Sequence, residues 1–374
     1  MSQKSRIINV EDGRVDFAKA FWDWFVQHEA VFRQSGNDTE TNLNFVEELV
    51  NKMKLFNPWL KALAGPFDKN KEKFELIITA DGEISLFCKV EELVQKAPDI
   101  PHWIITAHKP PLGFEEIKLE VHGRNFNASN THFYPVVYEE YPDEVNIMLT
   151  REDFNEEEDI RFQNAGMIFL ENGLGEINVS TRIDHYETGP EPAPGSNIEI
   201  IPITKLPDYL NWREKEFVEK YGNGLAAKPE DDFHLLEAED KDGNPLLLLL
   251  DAGFKDWTAK QSYPWLVLIE VYFGNDAPRG KSGLPPEELL LETEELENEI
   301  IDFIPADGTV YYIGHKIYDN TRTIYFYAQD YKQMSILLHH FLESREFKYE
   351  TSFFIRKDKY WREVGHFFKL MDQL

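Results

Sequence analysis

The string Gly274-Asn-Asp-Ala-Pro-Arg279-Gly280-Lys281-Ser282 carries the residue types of a phosphate-binding loop. A P-loop places four residues between its glycines so that backbone amides wrap one phosphate, and its Lys-Ser/Thr pair opens a helix facing the anion. Here five residues separate Gly274 from Gly280, and Gly283-Leu284-Pro285-Pro286 stand between Lys281-Ser282 and the next helical run. That spacing argues against a nucleotide site. It leaves a strand-to-helix loop in which Arg279 and Lys281 offer a mild preference for anions.

Asp153-Phe-Asn155-Glu-Glu157-Glu158-Asp159 resembles the start of a calcium loop, but Glu158 occupies the sharp-turn glycine position and Asn164 that of the bidentate glutamate. The run reads better as an acidic first turn complementing the dipole of the following helix. Histidine offers no metal site. His339 and His340 are adjacent, hence about 100° apart on a helix, so one packs and the other is solvated. His315 in a strand and His366 in the last helix could approach one another to share a metal. The single Cys88, beside Phe87, reads as a buried inert thiol and excludes a disulfide framework and multi-cysteine metal sites. No Gly-x-Ser-x-Gly elbow anchors a hydrolase triad. No catalytic residue, metal or cofactor is expected.

The remaining feature is a run of carboxylates. Between Pro286 and Phe303 stand Glu287, Glu288, Glu292, Glu294, Glu295, Glu297, Glu299 and Asp302, with no basic residue. Leu289, Leu290, Leu296, Ile300 and Phe303 form the expected core side. Such a helix is either a solvated face or a docking face for a basic partner, with Glu292, Glu295 and Glu299 as candidate contacts. The aromatic residues Trp257, Tyr263 and Trp265 could line an apolar cleft, Trp257 being the candidate ligand contact there, although such residues more often belong to a core.

These residues need elements to hold them. Asp16 to Gln34 and Asn44 to Leu55 read as amphipathic helices. Phe74 to Thr79 and His102 to Ala107 read as strands around a helix from Leu86 to Ala97, the first ending at the turn Ala80-Asp81-Gly82. Strands are expected at 117–121, 131–138, 144–149 and 177–185, with a helix over 156–174. A helix from Leu206 to Tyr221 follows. Lys241-Asp242-Gly243 joins strands 233–239 and 245–251 in a hairpin. From Tyr263 the order is strand, helix, strand, strand, helix, strand, helix, with Asp330 capping the helix to Leu342. The fold class is therefore α+β: two α/β units with antiparallel sheets and helices on one face, the second a ferredoxin-like β-α-β-β-α-β unit plus a terminal helix. Thr188 to Asn197 holds three Pro and two Gly, which reads as a linker. It divides the chain into a domain 1–187 with two leading helices, a linker 188–200 and a domain 201–374.

Composition sets the outer limits. The chain has 374 residues and a net charge of −29, from 39 basic and 68 acidic side chains. A field of that sign repels polyanions, so nucleic acid is not an expected partner. Met1 to Val10 has no secretory h-region, apolar runs such as Leu246 to Leu250 are far too short to span a bilayer, and the sequons at Asn37, Asn127 and Asn178 are read as chance. A soluble cytoplasmic protein without membrane association is expected.

The second half resembles the bacterial family called domain of unknown function 695. The likeness rests on Lys241-Asp242-Gly243-Asn244-Pro245, the strand Trp265 to Tyr272, Gly283-Leu284-Pro285, Tyr311 to Gly314, Tyr325 to Tyr327, and Asp358 with Trp361. It covers roughly Trp212 to Leu374. The resemblance implies a fold similar to that of the regulator of ribonuclease E activity B, an acidic protein that binds an enzyme, and it brings no catalytic residues. The first half is similar only to N-terminal regions of other uncharacterised bacterial proteins. The function expected is a non-enzymatic protein-binding or regulatory module. The alternatives are an enzyme with scattered catalytic residues and a small-ligand-binding protein with an aromatic cleft.

Overall fold

The computed structural model describes residues 16–35, 39–67, 72–121, 124–155, 159–222, 226–275, 280 and 283–371. Met1 to Val10, Asn37, Glu156 to Glu158, Arg279 and Lys281 lie outside the described residues. The chain groups into two compact units. One takes residues up to Gly82, Leu86–Pro111 and Gly175–Ile177; the other takes Glu83–Ser85, Leu112–Leu174 and Asn178–Leu374.

In the first unit, helices α1 (Phe17–Ser35) and α2 (Thr39–Met53) precede strands β1 (Lys61–Pro66) and β2 (Phe74–Thr79), helix α3 (Phe87–Gln95) and strand β3 (Trp103–Ala107). The aromatic period of α1 does what amphipathic spacing requires: Phe25 meets Trp103 with ring centroids 5.0 Å apart and Phe32 meets Phe45 at 5.2 Å. Trp22 is buried as well, its indole N–H donating to the Leu93 carbonyl at 2.8 Å. The sheet is mixed, since β1 runs antiparallel and β3 parallel to β2. An all-antiparallel sheet was expected, but α3 is a crossover between β2 and β3 and so makes them parallel; β1, rich in Gly, Ala and Pro, gives no strand signal and forms only at the sheet edge, where Pro is tolerated.

The second unit starts with the ribbon β4 (Leu119–Val121) and β5 (Arg124–Phe126), then a sheet of β6 (His132–Val136), β7 (Asn146–Thr150), β8 (His185–Gly189) and β9 (Ile201–Pro202) in the order β8-β7-β6-β9. Helix α4 (Asp159–Leu174) is followed by α5 (Glu176–Arg182), where a strand over 177–185 was expected. Gly175, at φ +82°, turns the chain, and Val179 and Ile183, four residues apart, bury together. Tertiary burial overrides strand propensity here. The boundary expected at 188–200 falls inside this second unit. β9 pairs with β6, and Ile203 together with Leu206 and Leu210 of α6 (Leu206–Tyr221) shares one core with Phe133 and Phe169.

The C-terminal sheet contains β10 (Phe233–Glu239), β11 (Pro245–Asp251), β12 (Trp265–Tyr272), β13 (Val310–Tyr318), β14 (Thr321–Ala328) and β15 (Glu350–Lys357), with α7 (Glu287–Phe303), α8 (Tyr331–Glu343) and α9 (Arg362–Met371). Its spatial order is β10-β11-β13-β14-β12-β15, every pairing antiparallel. From β12 on, the expected β-α-β-β-α-β order holds, with the hairpin β10–β11 added at the β13 edge. The Asp330 carboxylate accepts the amides of Lys332 and Gln333, as the capping argument requires. Helices α7 and α8 cover the face carrying Ile324 and Phe353. Helix α9 covers the other: Phe367 packs on Tyr325, and Trp361, one residue before α9, stacks on Tyr327 at 4.0 Å. Helices on one face only were expected; an amphipathic terminal helix finds its partner on the aromatic face that β-α-β crossovers leave open.

Candidate functional site

Helix α7 follows Pro285-Pro286, and Glu287 and Glu288 in its first turn oppose the exposed amides of the helix start. Its outward side carries Glu287, Glu288, Glu294, Glu295, Glu299 and Asp302, all exposed, with Leu291 54% exposed among them. Leu289 and Ile300 bury inward. The three candidate contacts differ in their surroundings. Glu295 is exposed. Glu299 pairs with Arg345 at 2.6 Å, and that guanidinium also lies over the Phe341 ring. Glu292 accepts from Lys348 Nζ at 2.5 Å and from the Tyr349 hydroxyl, and these bonds hold its carboxyl below the usual range.

Glu292 also lines a groove of about 300 Å³ at the start of α7. Its walls are Phe273, Pro286, Leu289 and Tyr349, and its rim carries Glu288, Glu292 and Lys348. A second cleft, about 270 Å³, lies between Phe217, Tyr221, Pro264 and Gln329. Trp257 is half-buried among Phe254, Tyr263, Tyr311 and Trp361, with centroids 5.2 to 5.6 Å away, and donates its N–H to the Ala227 carbonyl. It packs in the aromatic core cluster of the C-terminal sheet.

Of the eight carboxylates expected on the solvent side, Glu297 is the exception, at 2% exposure. It accepts from the Tyr312 hydroxyl at 2.7 Å, from His315 Nδ1 at 2.9 Å and from the Arg322 guanidinium, which also donates to the Leu290 carbonyl at 3.0 Å. Burial pushes the Glu297 carboxyl up, but the His315 bond, the charges of His315 and Arg322 and the Tyr312 hydroxyl together hold it below its ordinary value. The signal was present in the sequence: Leu289, Thr293, Glu297 and Ile300 recur at helical spacing, so Glu297 belongs to the inward stripe. The same geometry separates His315 from His366. His315 lies under α7, whereas His366 is exposed on α9, across the sheet. His339 donates to the Ser85 carbonyl at 2.9 Å and His340 is exposed, as adjacent helical positions require.

A second ionic cluster had no sequence signal, because its members come from four separate segments. Asp143 accepts from Lys220 Nζ (2.9 Å), Tyr221 (2.8 Å) and Tyr360 (2.7 Å). Lys359 donates to the Asp143 carbonyl at 2.6 Å and to Asp184 at 2.7 Å. Burial raises the Asp143 carboxyl, and the bonds from Lys220, Tyr360 and Tyr221 more than reverse that. Beside it, Lys357 donates to the Thr181 carbonyl at 2.7 Å and stands 3.8 Å from Asp184. Burial pulls its ammonium down to about 8 against the attraction of Asp184. A base with a lowered folded pKa binds fewer protons folded than unfolded between about 8 and its ordinary 10.5, so its cost is full below pH 8 and is relieved as pH rises toward 10.5. Lys357→Met should therefore raise the melting temperature at pH 7 by roughly 2 °C and gain less at pH 10, read by circular dichroism melts. A lower melting temperature at pH 7 would show that the bond to Thr181 outweighs the buried charge.

Among the described residues, no helix is long and apolar enough to cross a membrane, and no group of three or more His, Cys, Asp and Glu is placed to hold a metal ion. A family model described as a family of unknown function, DUF695, matches residues 216–368. This span runs from within α6 into α9 and includes all of α7. No curated protein and no solved structure matches the chain.

Proposed function

We propose that this protein is a non-enzymatic, cytoplasmic binding module that docks a basic protein on the outward side of α7. The observation that carries this reading is the row of six exposed carboxylates around the half-exposed Leu291. An apolar contact ringed by like charges suits an interface whose centre is desolvated and whose rim steers the partner. Folding does not call for this row: carboxylates three and four residues apart repel by about 0.2–0.5 kcal/mol per pair. The net charge of −29 extends the same field beyond the helix and favours a basic partner.

The test combines Glu294→Gln, Glu295→Gln and Asp302→Asn. Basic proteins captured from a native lysate by the wild-type chain are purified, and their association rates are measured at low and high salt. The triple variant should fold with unchanged or slightly raised stability. It should associate at least fivefold more slowly at low salt, with a flatter salt dependence. Unchanged rates for every captured protein would reduce α7 to a solvated face.

A further inference from the structure

We infer that the groove at the start of α7 receives one cationic side chain, an arginine of the docked partner, and that Lys348 occupies its place in the free protein. This rests on the reading of α7 as a docking face and specifies how the partner is anchored. The groove, about 300 Å³, is lined by Phe273 and Tyr349, which pack edge to face with centroids 6.1 Å apart, and by the carboxylates of Glu288 and Glu292. An aromatic face beside a carboxylate is the pairing that recognises a guanidinium, which can stack and form two parallel hydrogen bonds at once.

The chain shows that preference on itself. Lys348 Nζ donates to Glu292 at 2.5 Å and lies 5.3 Å from the centroid of the Tyr349 ring. Yet the Lys348 side chain is 68% exposed, and an exposed lysine–carboxylate pair contributes little to stability. A lysine is also a point charge that uses neither the planar stacking nor the paired hydrogen bonds that Glu292 and Tyr349 offer. An arginine that uses both can displace it, because it would bind the same Glu292 carboxylate and Tyr349 ring that Lys348 now contacts. Lys348 is then a competitor for the groove. Its removal should tighten binding, the opposite of what removing a contact residue does.

The probe is N-acetyl-arginine amide, titrated into the full chain while the aromatic resonances of Tyr349 and Phe273 are followed by NMR, with the neutral N-acetyl-citrulline amide in parallel. Saturable shifts at both rings are expected with the arginine compound at millimolar concentration and none with citrulline. Lys348→Ala should tighten binding three- to tenfold, and Glu292→Gln should abolish it. The inference is overturned if Lys348→Ala binds no more tightly than wild type, or if citrulline binds as well. The triple substitution on the outward side of α7 leaves the groove intact. A groove titration that behaves as expected while association rates ignore that triple variant would defeat the docking face alone. The reverse outcome would defeat the groove alone.

Discussion

Arg322→Met should destabilise the second unit by about 3–5 kcal/mol, measured by urea unfolding of the full chain at pH 7, because it strands Glu297 as a buried carboxylate. Glu297 would keep the Tyr312 hydroxyl and His315 but lose the only permanent positive charge among its partners. The double variant Glu297→Leu, Arg322→Met should recover most of that loss, since two apolar side chains can fill the site and Tyr312 and His315 already stand 3.4 Å apart. A double variant as unstable as the single one would show that the cluster stabilises through Tyr312 and His315 instead. The pH dependence follows from the lowered Glu297 carboxyl. A group depressed in the folded state contributes stability that is present above its ordinary value near 4.5 and lost as pH falls below it. In Arg322→Met that carboxyl gains by being neutral, so the penalty of the substitution should shrink in acid.

Gly314→Ala should cost about 4 kcal/mol or more, among the largest effects expected of any single substitution here. Gly314 has φ +144° and sits where the register of β13 shifts between Tyr312 and Gly314 against β14. A Cβ there would lie 1.9 Å from the Leu249 carbonyl oxygen, which is backbone in the adjacent β11 and cannot swing aside as a side chain does. The strands must part, breaking the ladder that runs from Leu247 to Leu250. Gly243→Ala is the control: it has φ +79° with nothing within 4 Å of the new Cβ, so backbone strain alone applies, about 1–2 kcal/mol. Equal losses in the two variants, by urea unfolding, would remove the packing argument for Gly314.

Local codes carried much of the architecture. The hairpin β10–β11 has the bounds that Asp-Gly and its flanking strands imply, α6 runs from Leu206 to Tyr221 as read, and Asp330 caps α8. Each of these signals acts within a few residues, through turn geometry, helical period or an orphan amide, so each is legible in the order of the residues themselves. The row of acids on α7 was legible for the same reason. Glu297 was legible as to face but not as to partner, because Arg322 lies 25 residues away and only the pairing of β13 with β14 brings it under the helix. The Asp143 cluster joins positions up to 217 residues apart, and Gly314 is required by a carbonyl of another strand. Strand β1 and helix α5 likewise depend on neighbours: the first on an edge to pair with, the second on a core that buries Val179 and Ile183. Residue types and spacing determined most of the helices and strands and the side of α7 on which most of its acids gather. Which carboxylates are buried, and against which cations, was decided only when distant segments met, because desolvation and ion pairing depend on proximity in space.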